Sequence, residues 1–266
     1  MRCIFCKKES LASKSVEHII PESLGNSRSI LPPGIVCDKC NNYFSRKIEG
    51  KMLEQSYFKN LRFRQNIESK RGRCPIETGV LRTRNSEIKV PIDRNTKNPR
   101  ISTVRVNTED FEKLLIFSPT ELIFSSPDLP EVNNQIISRF LGKVGLELLA
   151  STPVPEKALN EFVIDNTEFD LLRNFVRYSK PDIVWPYHLR RIYAENKPFL
   201  IEGVNGQMIH EEKLLFTDAR ELYVVVCIMG VEYSLNMVGP ELDGYEIWLK
   251  DHKSESPLDE KYCKKR

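Results

Sequence analysis

Cys3–Ile4–Phe5–Cys6 and Cys37–Asp38–Lys39–Cys40 bracket a segment that contains Val16–Glu17–His18–Ile19–Ile20–Pro21, and Asn41 follows the last cysteine. Each two-residue spacing lets one turn present both sulfurs to a single ion, and four thiolates satisfy zinc tetrahedrally at about 2.3 Å per bond. Four cysteines leave no open position, so such a zinc would hold the fold and take no part in chemistry. The bland alternative is four thiols in a core, and it leaves the two matched spacings unexplained. A unit of about 55 residues has a small core and gains from a metal staple.

Outward from the cysteines, short apolar stretches at 15–20 and 30–36 alternate with Pro21, Gly25, Pro32, Pro33 and Gly34. This pattern predicts two short strands with a loop between them. From Asn41, the residues Phe44, Ile48, Met52, Leu53 and Tyr57 recur at helical spacing. Gly50 weakens that helix without ending it. The predicted order is strand, loop, strand, helix, with the second cysteine pair at the strand-to-helix corner.

Chemistry needs other groups. His18 is the sole histidine before His188 and is not required to complete the thiolate set. Taken alone it reads as a structural histidine bonded to backbone. Glu17 and Asn41 carry hard oxygen donors, suited to Mg²⁺ or Mn²⁺ and not to a thiolate site. In a strand, Glu17 and His18 point to opposite faces unless a turn or bulge intervenes. A neutral imidazole beside a divalent ion can take a proton from water, and the ion can stabilise the departing oxygen of a phosphodiester.

Taken together, Cys–x–x–Cys, Glu17–His18–Ile19–Ile20–Pro21, Leu24–Gly25–Asn26 and Cys37–Asp38–Lys39–Cys40–Asn41 resemble an HNH endonuclease of the zinc-stapled ββα-metal type over roughly residues 1–55. The resemblance implies His18 as the general base that activates water. It puts Glu17 in the acidic metal-ligand position, more often Asp, and Asn41 in the second ligand position, commonly His. Asn26 is the candidate for the middle asparagine that steadies the loop and the base. That residue usually lies nearer the second cysteine pair, where this chain has Leu31–Pro32–Pro33. Arg46 and Lys47, on the first turns of the helix, are candidates for phosphate contact or for an ordinary solvated face.

The charge distribution fits a polyanion partner. Residues 1–77 carry 15 Lys and Arg against eight Asp and Glu, whereas the remainder carries 25 against 29. A basic front on a mildly acidic body suggests a polyanion partner or an ordinary solvated basic surface, and the family resemblance implies that the polyanion is DNA. Lys59, Arg62, Arg64, Lys70, Arg71, Arg73, Arg82 and Arg84 continue the basic character with Phe58 and Phe63 among them. This stretch reads as a phosphate-contacting arm or as a solvated helix and loop. Hydrophobic content of 40% and charged content of 29% describe a globular chain. No apolar run is long enough to span a membrane. Paired cysteines and no apparent export signal point to a reducing, cytoplasmic home, with Cys74, Cys227 and Cys263 scattered outside the paired set.

Beyond residue 79 the pattern speaks of structure and not of chemistry. Strands are predicted at 80–92, 101–106, 114–117 and 121–124. A helix is predicted at 131–150, with an apolar stripe of Val132, Ile136, Ile137, Phe140, Leu141, Val144, Leu148 and Leu149 ended by Pro153. A shorter helix at 167–178 has Asn166 as its cap. Strands follow at 199–203, 208–216, 222–229 and 232–237, the third a near-continuous apolar run of the buried kind. The charged, Ser-rich end from Lys250 is expected to fray. Trp185–Pro186–Tyr187–His188–Leu189–Arg190–Arg191 could stack a base and hold phosphate, or could be a packed loop. His210 reads as an ordinary strand residue.

The reading is therefore an α+β protein: a small N-terminal zinc-stapled ββα-metal domain at 1–58, a basic arm at 59–84, a larger mixed α+β domain at 85–250 and a charged tail at 251–266. The function implied is a divalent-metal-dependent endonuclease acting on DNA. A restriction or anti-phage role enters by analogy alone. A homodimer, or an activator reached through the C-terminal domain, is the protein partner left open. The competing reading is a zinc-stapled nucleic-acid binder without catalysis.

Overall fold

The computed structural model describes residues 1–69, 71–94, 97–98, 102–124, 126–131, 134–201 and 204–259. Lys70 of the basic stretch, Val132 of the helical stripe and Cys263 lie outside them. The fold is mixed α+β. Its contacts group the chain into two compact units. One comprises Met1–Pro21, Asn26–Met52 and Glu131–Arg266, the other Glu22–Gly25 and Leu53–Pro130.

In the first unit, β1 (Glu17–His18) pairs antiparallel with β2 (Ile30–Leu31), Glu17 opposite Leu31 and His18 opposite Ile30. The strands are shorter than the apolar runs, because Pro21 and Pro32 close them. Helix α1 (Asp38–Phe44) starts at Cys37, whose backbone is still extended. It continues through a π-turn at Ser45–Glu49 into α2 (Gly50–Leu53). Phe44, Ile48 and Met52, the predicted apolar face, are buried, and the Phe5 ring meets Phe44 edge-on at 4.4 Å. Burying each such side chain contributes roughly 1.5–3 kcal/mol.

The second unit contains α3 (Ser56–Arg64), β3 (Glu77–Arg82), β4 (Glu87–Arg94), β5 (Ser102–Val104), α4 (Thr108–Ile116) and β6 (Glu121–Phe124). The strands form one antiparallel sheet in the order β5-β4-β3-β6. Phe63 packs into it with Leu81, Ile88, Val90 and Ile92. Two expectations are corrected here. The run at 80–92 is a hairpin, turned where Thr83 N donates to Ser86 O and the Thr83 hydroxyl accepts from the amides of Asn85 and Ser86. The segment 114–117 ends a helix and is not a strand. Asn107 caps that helix by accepting from Asp110 N at 2.8 Å, and Lys113 meets Glu109 one turn back at 2.7 Å.

The rest of the first unit is built on α5 (Gln135–Ser151), capped by Asn134, which accepts from Ile136 N at 3.0 Å. It is followed by α6 (Glu156–Leu159), a 3₁₀ turn at Thr167–Phe169 capped by Asn166, and α7 (Asp170–Tyr178). Next come β7 (His188–Arg191), the hairpin of β8 (Pro198–Ile201) and β9 (Val204–Gln207), then β10 (His210–Phe216), β11 (Leu222–Ile228), β12 (Val231–Asn236) and α8 (Asp243–Asp251). Four of these strands form an antiparallel sheet, β10-β11-β12-β7. Every residue of β11 and β12 is buried. Tyr223, Val225 and Cys227 face Tyr245, Leu249 and Leu258 on one side of the sheet. α5 lies against β11 and β12, and also touches α7 and the π-turn at Ser45–Glu49.

Two glycines allow that close packing. A Cβ on Gly142 would stand 2.7 Å from Val176, and one on Gly145 would stand 2.8 Å from the Met237 sulfur. With α5 enclosed, even its charged residues Arg139, Lys143 and Glu147 are buried. The C-terminal end does not fray over 252–259. Leu258 enters the core, and Arg190 donates to the carbonyls of Ser254 and Glu255 at 2.7 and 3.2 Å. Among the described residues no helix is long and apolar enough to cross a membrane.

Candidate active site

The four predicted thiols meet. The Sγ atoms of Cys3, Cys6, Cys37 and Cys40 lie within 4.8 Å of one another. Zinc bonds of about 2.3 Å set a sulfur–sulfur edge of about 3.8 Å in a tetrahedron, and Cys6 and Cys37 stand 3.7 Å apart. The donor set and spacing fit a structural zinc. The Cys37 amide donates to Cys3 Sγ at 3.4 Å. Arg177 Nε, from α7, donates to Cys40 Sγ at 3.3 Å, and its guanidinium stacks 4.1 Å from the Tyr43 ring centroid. The bond from Cys40 holds Cys3 down to about 5, while burial pushes Cys6 up to about 11. A bound zinc would remove all four protons.

β1 divides the expected catalytic pair. His18 is half-buried, whereas Glu17 is 5% exposed and turns inward, as strand alternation requires. There Glu17 Oε1 meets the Lys143 ammonium at 2.7 Å. Lys143 is fully buried and also meets Glu49 Oε1 and Glu147 Oε2, each at 2.9 Å. Its ammonium donates to the carbonyls of His18 at 3.0 Å and Ile19 at 3.5 Å. Burial alone would lower the Lys143 pKa; Glu147, Glu49 and Glu17 more than offset that and raise it well above its ordinary value. Burial, with Glu17 and Glu49 adding repulsion, pushes Glu147 well up despite Lys143.

The neighbourhood of Glu17 is a shell of hard oxygens around a cation, and that cation is the Lys143 ammonium. Asn41, on the first turn of α1, is half-buried, and its Nδ2 donates to Val16 O at 3.0 Å. That bond ties the helix to the strand entering β1.

Asn26 is 1% exposed and staples the loop between the strands. Its Nδ2 donates to Ile20 O at 2.6 Å and Ser29 O at 2.9 Å, and its Oδ1 accepts from the amides of Arg28 and Ser29 at 2.9 Å. With all four bonds to backbone, it positions the loop.

Among the basic candidates, Arg46, Lys47, Arg71 and Arg73 are exposed. Arg64 is half-buried, and its Nε donates to Asn60 Oδ1 at 2.7 Å. Arg62 is 8% exposed, and burial lowers its pKa.

The Trp185–Arg191 cluster is structural at its start. Trp185 is buried and donates to Asn236 O at 2.9 Å, and Arg190 pairs with the buried Glu232. Beside it opens a cavity of about 560 Å³ in which Arg190, Arg191 and Lys197 are balanced by Glu211, Glu255 and Asp259.

Sequence reasoning missed Lys143, Glu49, Glu147 and Arg177. One signal was available: Lys143 and Glu147 sit four residues apart among the apolar residues of α5. No curated protein and no solved structure matches the chain. Residues 3–56 match the family described as HNH endonuclease. With four clustered thiols on a strand–loop–strand–helix frame, the chain carries an HNH endonuclease domain at residues 3–56.

Proposed function

We propose that this chain is an endonuclease that hydrolyses phosphodiester bonds of DNA, with His18 as general base. The observation that carries the reading is the placement of His18, half-buried on a two-residue strand, in the thiol-stapled frame that matches the HNH family. The imidazole takes a proton from water while the water oxygen bonds to phosphorus and the bond to the leaving oxygen breaks. The Lys143 contact to the His18 carbonyl and the Asn26 staple fix the backbone on either side of that step. Exposed Arg46 and Lys47, which follow α1, and exposed Arg71 and Arg73 are the residues proposed to contact phosphate. Dependence on Mg²⁺ or Mn²⁺ rests on the family resemblance, and no step is assigned to an ion on Glu17.

One observation favours a second reading, a zinc-stapled DNA binder without catalysis: the carboxylate expected to hold the ion is already paired with Lys143. Plasmid incubated with the zinc-loaded chain and Mg²⁺ or Mn²⁺ separates the two. Cleavage that His18→Ala abolishes, while retaining zinc, supports the nuclease. Salt-dependent binding with no cleavage under either ion supports the binder. A restriction or anti-phage role, supported by analogy, a homodimer or activator engaged through the C-terminal part, and a cytoplasmic location, supported by the paired cysteine spacings, belong to the same proposal.

A further inference from the structure

The five oxygens around Lys143 come from three places in the chain. Glu17, His18 and Ile19 lie on or beside β1, Glu49 ends the π-turn after α1, and Glu147 lies one turn along α5. Lys143 itself is contributed by α5, more than 120 residues after the strand. An ammonium with no exposure can be tolerated only if its charge and all three protons are met. Here the partners are the two strand-side elements of the nuclease frame, and the bond to the His18 carbonyl lands on the residue proposed as base.

We propose that Lys143 is a positioning residue of the nuclease site, and that Glu17 serves as its counter-ion and not as a ligand of a divalent ion. The inference rests on the nuclease reading for its kinetic part and on the geometry alone for the pairing. Lys143 holds β1 against α5 and the π-turn, so the His18 imidazole leaves the strand from a fixed backbone. A misplacement of about 1 Å at a reacting group costs about 100-fold in rate. Glu17 is oriented by the same ammonium, which supplies the positive charge its carboxylate needs.

The test uses the full zinc-loaded chain with wild type, Glu17→Gln, Lys143→Met, Lys143→Arg and the double variant Glu17→Gln/Lys143→Met. Mn²⁺ binding is followed by electron paramagnetic resonance, plasmid cleavage by kcat and KM, and folding by melting temperature. The proposal expects Glu17→Gln to bind Mn²⁺ within about twofold of wild type. It expects Lys143→Met to lose about tenfold or more in kcat with KM little changed, and Lys143→Arg to recover part of that loss. It expects the double variant to be no worse than Lys143→Met, because removing both charges leaves neither one unpaired.

A tenfold loss of Mn²⁺ affinity in Glu17→Gln would make Glu17 an ion ligand and overturn the proposal. So would a folded Lys143→Met with wild-type kcat, or losses that multiply in the double variant. If wild type cuts nothing and binds no Mn²⁺, the nuclease reading fails on its own. The pairing is then judged by melting: a double variant nearer wild type than Lys143→Met supports it, and additive losses overturn it. The same melting comparison decides the matter if Lys143→Met fails to fold.

Discussion

Arg177 Nε donates to Cys40 Sγ at 3.3 Å, so the thiol cluster of the N-terminal segment is completed by a cation from α7. Four thiolates on one zinc carry a net charge of about −2, and a buried guanidinium beside one sulfur offsets part of it. Arg177 is held by its stack on Tyr43, whose hydroxyl accepts from Arg139 Nη2 at 2.6 Å. Arg177→Ala should weaken zinc binding by about 10–100-fold. Competition with a zinc chelator on the intact chain reads this directly. Retained wild-type affinity would leave Arg177 with a packing role only.

The cysteines themselves should behave differently from His18. Cys40→Ser removes a buried thiol from the four-cysteine cluster that fits a zinc, and structural zinc supplies folding free energy on the order of 10 kcal/mol in small domains. Loss of zinc and a melting temperature lowered by at least about 10 °C are expected. His18→Ala should keep one zinc per chain and an unchanged circular dichroism spectrum, with cleavage down by about 100–10,000-fold. A His18→Ala variant that cleaves normally would remove His18 from the mechanism.

The difference between those two outcomes was legible in the sequence because both signals are local. A two-residue cysteine spacing is a statement about one turn, and His18 beside Pro21 is a statement about one strand end. The fate of Glu17 was not legible. Strand alternation says that it opposes His18, but only the tertiary fold says what it meets there. Lys143 reaches it because Gly142 and Gly145 draw α5 close to α7 and the sheet. The segment 114–117 was misread for a related reason: its apolar residues suit a strand, and the Asn107 cap seven residues earlier decides for a helix.

Asn26→Ala tests whether the loop staple matters to stability. The amide is buried and makes four bonds to backbone, so truncation strands Ile20 O and the amides of Arg28 and Ser29. A cost of about 2–3 kcal/mol is expected, read as a shift in urea midpoint without change in slope. Asn26→Asp should cost as much, because a carboxylate cannot donate to the Ile20 and Ser29 carbonyls. A cost below about 0.5 kcal/mol in both variants would mean that the loop is held by its other contacts.

Acid should loosen the seam between the N-terminal residues and α7. The hydrogen bond from Arg2, at 2.6 Å, lowers the Asp165 pKa. Burial works against the same shift at Asp170, but Lys7 at 2.6 Å and the Arg173 charge outweigh it. Both folded-state pKa values lie below their unfolded values, so the unfolded chain binds more protons as pH falls. The stabilisation is therefore present above the unfolded carboxylate range, near pH 4, and is lost as pH drops through the lower folded values. The urea midpoint of wild type should fall between about pH 5 and pH 3 more steeply than that of Asp165→Asn/Asp170→Asn. The two curves should separate most at pH 7 and converge in acid. Curves that stay parallel from pH 7 to pH 3 would show that these two pairs add nothing to the seam, as exposed ion pairs often do.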